Sequence, residues 1–495
     1  MRDKLIGQIN KESGISTLEM LIALALITIS ISAVILVVFG NQSVSADIVT
    51  NNEALIKSQA IIEDARAQSL LDYSSVVTTS PVVDGVYTKQ TVIDQASVTQ
   101  CGKDVYSTVS WKGDGNRNLH MQFKTHLTDF VTAFAVGHCS GTPPPSGWNP
   151  PATFASSNFN PGKPTGLDIL NRIVYMTSDH SPYLHIADTR TATLGQSSGL
   201  FVTFANSFDD GTQLNDIKVT RLSDGKIYAM VARDTSTDQF EIIDVDDFLN
   251  PVSVAKLSLA GVAGASPEGW RLFYYSNKVY VVARFTAGPE LHIFDVSTPT
   301  SPVEIGSGTD LGRTVESLAV TKKNISGTDH YFIFTAADKN SAEVSVFDIV
   351  YPTAATYTFN EITAPDQNLP GNQDGATAHY LNGYLYFGRN SAPGGSDFYI
   401  FDAHSPQGGL TIKQEQNINT SVLGVVVAGP YSFLATSKAN EEFQVWTSDP
   451  DQTLTKVNTV SFNFPNLVNN GVVYEYPYIY VISQGNDALR ILYTP

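Results

Sequence analysis

The string LHIFDVSTP, residues 291–299, decides the fold because it recurs. Related strings are YLHIADT ending near Asp188, FEIIDV at Asp244, VSVFDIVYP at Asp348 and FYIFDAHSP at Asp402. Counted with Asp295, these aspartates stand 56, 51, 53 and 54 residues apart. Two weaker copies follow, FQVWTSDP around Trp446 and LRILYTP around Leu492. Each copy has an apolar strand upstream, RIVYMTS, KIYAMVAR, KVYVVARF, HYFIFTAA, GYLYFGRN, YSFLATS and YIYVISQ in turn. Six copies are also followed by a further strand, such as SVAKLSLAG or TYTFNEIT. The seventh ends with the chain, so PATFASSNF, residues 151–159, is expected to complete it. Period-two patterning rich in Val, Ile, Tyr and Phe disfavours helical repeats. Units of this length with four short strands predict an all-β, seven-bladed β-propeller over residues 152–495.

The apolar-apolar-Asp-x-x-x-Pro pattern resembles the LVIVD-type surface propeller repeat. The repeated Asp188, Asp244, Asp295, Asp348 and Asp402 are read as turn residues, whose carboxylates accept backbone N–H groups after the strand. Repetition places them on separate blades, which does not suit a catalytic acid array. His185 and His292 share one register in two blades, as a blade-structural residue would. Two acidic strings offer oxygen ligands at alternating positions, as calcium requires. These are DDGTQLND, with Asp209, Asp210 and Asp216, and DVDDFLN from Asp244 to Asn250. Neither has EF-hand spacing; calcium is the one cofactor these strings could hold, and no other cofactor is expected. No GxSxG, HExxH, P-loop or GxGxxG motif stands in a usable context, and no enzymatic activity is expected. Tyr274, Tyr275, Tyr380, Tyr384, Tyr386, Tyr474, Tyr476, Tyr478 and Tyr480 crowd the strands. Most are expected in the core, and a few at blade edges could stack on sugar rings.

Working back to the N-terminus, residues 20–39 form an uncharged run, MLIALALITISISAVILVVF, long enough to cross a bilayer as one helix. Arg2, Lys4 and Lys11 precede it, which favours a cytoplasmic N-terminus. No proline interrupts the chain before Pro81, so one helix is predicted over residues 16–73, about 85 Å at 1.5 Å per residue. In its second half Ala54, Leu55, Ile61, Ile62 and Ala65 make an apolar stripe, interrupted by Ser58 and Ser69. The string GISTLE, from Gly14 to Glu19, leading into that apolar helix resembles the signal of type IV prepilins and pseudopilins. The resemblance implies a leader of residues 1–14, cleavage by prepilin peptidase between Gly14 and Ile15, and N-methylation of Ile15. Glu19 would then be the fifth mature residue, able to pair with the new α-amine of a neighbouring subunit in an apolar filament core. The chain departs from the pattern in having Ile15 where Phe is usual, and in lacking a proline within the helix.

Residues 82–139 read as about four antiparallel strands with a turn at KGDGNRN, similar to the head of minor pilins and pseudopilins. Helix and sheet together make an α+β pilin-like domain, residues 15–139. Cys101 and Cys139 are the only cysteines. In an exported head, and as pilin heads often have it, they are expected to pair, which would add roughly 3–4 kcal/mol; the alternative is two buried thiols. The proline-rich stretch SGTPPPSGWNPP, residues 140–151, is read as a semi-rigid linker.

Composition bounds the partners. The 495 residues include 48 acidic and 30 basic side chains, a formal charge of −18, with no basic run, so nucleic acid is excluded as a partner. Charged residues at 16% and aromatic residues at 10% exclude a disordered chain. The reading is a minor type IV pilin, first in the cytoplasmic membrane and then in an extracellular filament with other pilins, displaying a propeller for adhesion to a glycan, protein or other surface ligand. The alternatives are a secretion or assembly pseudopilin and a surface-displayed propeller hydrolase.

Overall fold

A computed structural model describes residues 17–71, 73, 76–94, 102–113, 116–128, 148, 151–157, 162–195, 208–209, 211–339, 341–362, 368–390, 395–460, 467–484 and 488–494. Gly14, Ile15, Cys101, Cys139 and Asp210 lie outside these residues, as does the side chain of Glu19. The chain divides into two compact units, one up to Asp129 and one from Phe130 onward.

The first unit begins with helix α1, Thr17–Leu71, close to the expected span. Its segment Met20–Val38 has a mean hydropathy of 3.0 and is wholly exposed. It is long and apolar enough to cross a membrane. Its polar residues do not contradict that. Ser30 and Ser32 donate their hydroxyls to the carbonyls of Leu26 and Thr28, each at 2.7 Å, so no hydroxyl need seek water there.

The second half of α1 packs on an antiparallel sheet of β1 (Val82–Asp84), β2 (Tyr87–Ile93), β3 (Gly102–Lys112) and β4 (Asn118–Thr128), in that order. The buried helix positions are Ala54, Ser58, Ile62 and Ala65, one turn apart. Ser58 does not interrupt this face as the sequence suggested. It is fully buried, and its hydroxyl meets that of Ser107 on β3 at 2.5 Å. Small residues at 54, 58 and 65 let the helix sit close to the sheet, and the paired hydroxyls satisfy each other. Lys103 is also buried; its ammonium donates to the carbonyls of Tyr73 and Val76, both at 2.7 Å, and fixes the chain as it leaves the helix. Lys57 and Lys89 both reach Asp84, at 2.7 and 2.9 Å, and hold its carboxyl down at about 2.

Among the described residues the second unit contains seven antiparallel sheets, numbered I to VII in chain order. Their first strands are Pro164–Leu170, Leu214–Arg221, Glu268–Tyr275, Thr314–Ile325, Gly375–Leu381, Val422–Ala428 and Leu467–Glu475. These strands neighbour one another in cyclic order, with VII returning to I, which is the arrangement of a β-propeller. Sheets II to VII have four strands and sheet I has three among the described residues. The strand expected to complete sheet I, around residues 200–207, lies outside them, though Phe208 bridges to Leu184 at that edge. Sheet VII takes its fourth strand from the start of the unit: Ala152–Ser157 pairs antiparallel with Leu489–Tyr493, from Ala152 opposite Tyr493 to Ser157 opposite Leu489.

Position in the sheet explains the patterning. Second strands such as Ile227–Arg233 are buried at every position, because neighbouring sheets cover both faces. Outer strands such as Thr356–Ile362 alternate between exposed and half-buried. Trp148 extends this core further upstream than the expected linker boundary. Its ring is 1% exposed, joins the apolar cluster of sheets VI and VII, and meets Phe433 edge-on at 4.8 Å.

Two substitutions test these packing claims. Trp148→Ala is expected to cost about 3–5 kcal/mol in urea unfolding of the chain in non-ionic detergent, the range for emptying a large aromatic site. Ser58→Ala alone is expected to cost about 1–3 kcal/mol by stranding the Ser107 hydroxyl. The Ser58→Ala, Ser107→Ala double variant should recover most of that loss, and equal costs for single and double variants would remove the hydroxyl pair from the account.

Candidate functional site

The seven first strands converge on an axial cavity of about 540 Å³, and all seven contribute to its wall. Polar side chains of these strands tie neighbouring sheets together across the axis. Asp168 of sheet I accepts the Val219 N–H of sheet II at 2.6 Å. Asp216 of sheet II accepts the Leu272 N–H of sheet III at 3.0 Å, and the adjacent Ile217 N–H at 2.9 Å. Ser317 of sheet IV accepts the Ala378 N–H of sheet V at 3.2 Å. First strands splay about the axis, so their N–H groups there lack a ladder partner on the inner side. A short acceptor from the next sheet satisfies them.

Burial sets the electrostatics of this wall. The Asp168 carboxyl is pushed up by loss of water, with Lys218 pulling the other way. His379 is pushed down to about 4 by burial, and the charge of Lys218 adds to that. Burial also lowers Arg271, against the attraction of Asp216 and Glu316.

Arg271 lines a second space as well, a polar mouth of about 550 Å³ where the first strands begin. Lys163, Asp179, Gln213, Trp270, Arg284 and Gln484 line this mouth. The Trp270 ring lies against two guanidinium groups, with Arg284 Cζ at 3.2 Å and Arg271 Cζ at 4.2 Å from its centroid, and its indole N–H donates to Glu316 at 3.2 Å. Arg284 in turn pairs with buried Glu268, its Nε donating at 2.6 Å. Desolvation and the neighbouring Asp234 carboxyl push Glu268 up to about 7, against the pull of Arg284. A similar carboxyl pair, Asp338 with Asp374, joins sheets IV and V, and Asp374 is likewise pushed up, by burial first. Phe285 follows Arg284 and is 64% exposed with φ 57°. Holding a bulky side chain in that left-handed region costs about 1–2 kcal/mol.

Most of the residues singled out from the sequence lie away from this axis. The repeated aspartates close turns at the far ends of the third strands. Asp188 accepts the Arg190 N–H at 3.0 Å, Asp244 that of Asp246 at 3.1 Å, Asp295 that of Ser297 at 2.9 Å and Asp402 that of His404 at 2.9 Å. Asp348 differs, because its strand, Val344–Thr353, runs on past it; it pairs with His330 Nδ1 at 2.9 Å instead. The two acidic strings are taken up locally. Asp209 accepts the Ser181 hydroxyl and the Gly211 N–H at 2.5 and 2.9 Å, while Asp216 is turned to the axis with both oxygens on backbone N–H groups. In the other string, Asp247 accepts the Leu249 N–H at 3.1 Å. Among the described residues no group of three or more His, Cys, Asp or Glu side chains is placed to hold a metal ion. His185 and His292 are both buried: burial lowers His185 to about 4, and His292 Nδ1 meets Glu304 at 2.7 Å. Of the nine tyrosines, Tyr476 is 50% exposed and the others are buried or half-buried.

Lys218 and His379 stand in the same first-strand register as Asp168, two residues past the bulge, where sheets III, IV and VI carry Phe273, Ala319 and Val426, and Arg271 shares the register of Asp216; neither position repeats a charge that would mark the axis in the sequence. The recurring first-strand register was the one clue available.

The shifted groups make opposite pH predictions. The folded values of His185 and His379 lie below the ordinary histidine value near 6.5. The stability they carry is present above pH 6.5 and is lost as pH falls toward 4, at up to about 1.4 kcal/mol per pH unit for each. Glu268 is raised to about 7, so its contribution is fully present below about 4.5 and is lost as pH rises from there through 7. In a curve of unfolding free energy against pH, His185→Gln is expected to remove a loss that grows as pH falls from 6.5 toward 4, and Glu268→Gln a loss that grows as pH rises from about 4.5 to 7. Parallel curves for wild type and variant would remove that residue from the account.

No family model matches the chain, and no curated protein matches it. Solved structures do. The computationally designed Ika8 protein is similar at 11% identity and a TM-score of 0.41, covering 69% of this chain and 99% of its own. The β-propeller domain of Myceliophteria thermophila Cps50 (Swd1) is similar at 12% identity and a TM-score of 0.40, covering 68% of this chain and 99% of its own.

Proposed function

We propose that this chain is a minor type IV pilin that displays a seven-bladed β-propeller of the LVIVD type on a surface filament, for adhesion or ligand binding without catalysis. The observation that carries this reading is the change of character along one continuous helix. Residues Met20–Val38 are apolar and exposed, and the same helix then buries Ala54, Ser58, Ile62 and Ala65 against a four-stranded sheet. A helix of that kind rests in a bilayer as a monomer and exchanges lipid for other apolar helices in a bundle. Gly14, Ile15 and Glu19 supply the processing site and the buried carboxylate that such an exchange uses. The precursor then sits in the cytoplasmic membrane and the mature chain in an extracellular filament, with prepilin peptidase and other pilins as partners. A disulfide between Cys101 and Cys139 would stiffen the head after export. The bulk of the propeller favours a tip or intermittent position over every position of a thin shaft, and makes the exposed propeller the part that meets a ligand.

Mass spectrometry of sheared filaments tests this. A peptide beginning at N-methylated Ile15, present well below the major pilin, is the expected result. Glu19→Ala should leave processed chain in the membrane and remove it from filaments. A ratio near that of the major pilin would overturn the minor role, and absence of the wild-type chain from filaments would favour a pseudopilin.

A further inference from the structure

Charged groups around the axial cavity are unequally satisfied. Asp216 has both oxygens on backbone N–H groups, and Asp168 holds the Val219 N–H at 2.6 Å. The cations have no direct carboxylate contact, and Asp168 acts on Lys218, and Asp216 and Glu316 on Arg271, only at longer range. Arg271 is 4% exposed and donates only to the main-chain carbonyls of Glu316 and Asn215, at 3.1 and 3.2 Å. Among the described residues, no carboxylate lies within 4.0 Å of the Arg271 guanidinium or the Lys218 ammonium. His379 Nε2 is buried with no hydrogen-bond partner. Lys218 and His379 line the same cavity, from the first strands of sheets II and V. The wall between these groups is apolar, with Leu170, Phe273, Leu318, Val426 and Val473 in it.

A volume of about 540 Å³ with apolar walls and a few convergent donors is the usual form of a small-molecule site. Arg271 is buried without a direct ion pair and Lys218 is half-buried; a cation so placed is costly, and an anionic occupant offsets that cost. We propose that the axial cavity binds a small organic anion, its carboxylate held by Lys218 and flanked by Arg271 and His379, its apolar body lodged between the first strands. The polar mouth beside Trp270 shares Arg271 with the cavity. This inference does not depend on the filament reading, because it concerns the second unit alone.

The test uses three probes of one shape, benzoate, benzamide and benzylamine, with the full chain in non-ionic detergent and ligand-observed saturation-transfer NMR as the readout. Benzoate is expected to bind at least tenfold more tightly than benzamide, and benzylamine more weakly than either. Lys218→Met keeps the apolar stem and removes the charge. It should weaken benzoate at least tenfold and leave benzamide unchanged, while Lys218→Arg keeps the preference. Equal binding of benzoate and benzamide would overturn the proposal. So would benzoate binding weaker than about 10 mM, or a preference that survives Lys218→Met. Should Lys218→Met fail to fold, Lys218→Gln is read in the same way, and the wild-type preference among the three probes still decides.

Discussion

The antiparallel pairing of Ala152–Ser157 with Leu489–Tyr493 is the constraint on which the second unit depends. It joins the first described strand of the unit to the last, so the ring of sheets is fastened by backbone pairing as well as by the packing of sheet VII on sheet I. The pairing covers the open N–H and C=O groups of Leu489–Tyr493 and leaves sheet VII with an outer edge strand like those of the other four-stranded sheets. It also holds sheet VII against sheet I. There Glu475 accepts the Arg172 N–H at 2.7 Å, and Tyr480 packs in one apolar cluster with Leu167 and Val174. Trp148 seals the same region from the other side, packed with Phe433 between sheets VI and VII.

Closure creates the axis, and the axis divides the chemistry. Toward the rim, carboxylates sit at turns or in exposed ion pairs such as Lys226 with Asp244 at 2.7 Å, where water screens them. At the centre the same residue types lose water. Asp168 and Asp216 become acceptors for strand N–H groups that have no ladder partner. Lys218, Arg271 and His379 face a shared cavity. Identical side-chain chemistry is thus structural in one place and a candidate recognition element in the other, and solvent access makes the difference.

The first unit follows a separate logic. Its helix changes character along its length: Met20–Val38 is apolar on all sides, and the second half buries one face against the sheet. Hydroxyls on the first half bond back to the preceding turn. On the second half the Ser58 hydroxyl bonds across to Ser107. Both arrangements solve the same problem, a polar group away from water, by the means locally at hand.

The sequence by itself determined the long helix, its apolar segment, the four-stranded sheet after it, and the repeat of four-stranded units closed by the strand after the linker. Those features rest on periodicity and spacing, which are local and repeat often enough to be read. It also determined the turn role of Asp188, Asp244, Asp295 and Asp402, because an Asx turn spans only a few residues. Tertiary structure alone decided that Ser58 is a buried partner and that Trp148 belongs to the propeller core. It alone decided that Asp216 faces the axis and that Lys218, Arg271 and His379 meet there. Each of these depends on residues brought together from different sheets, or from helix and sheet. Which side chain occupies a position repeated seven times leaves no mark on the period that reveals the fold.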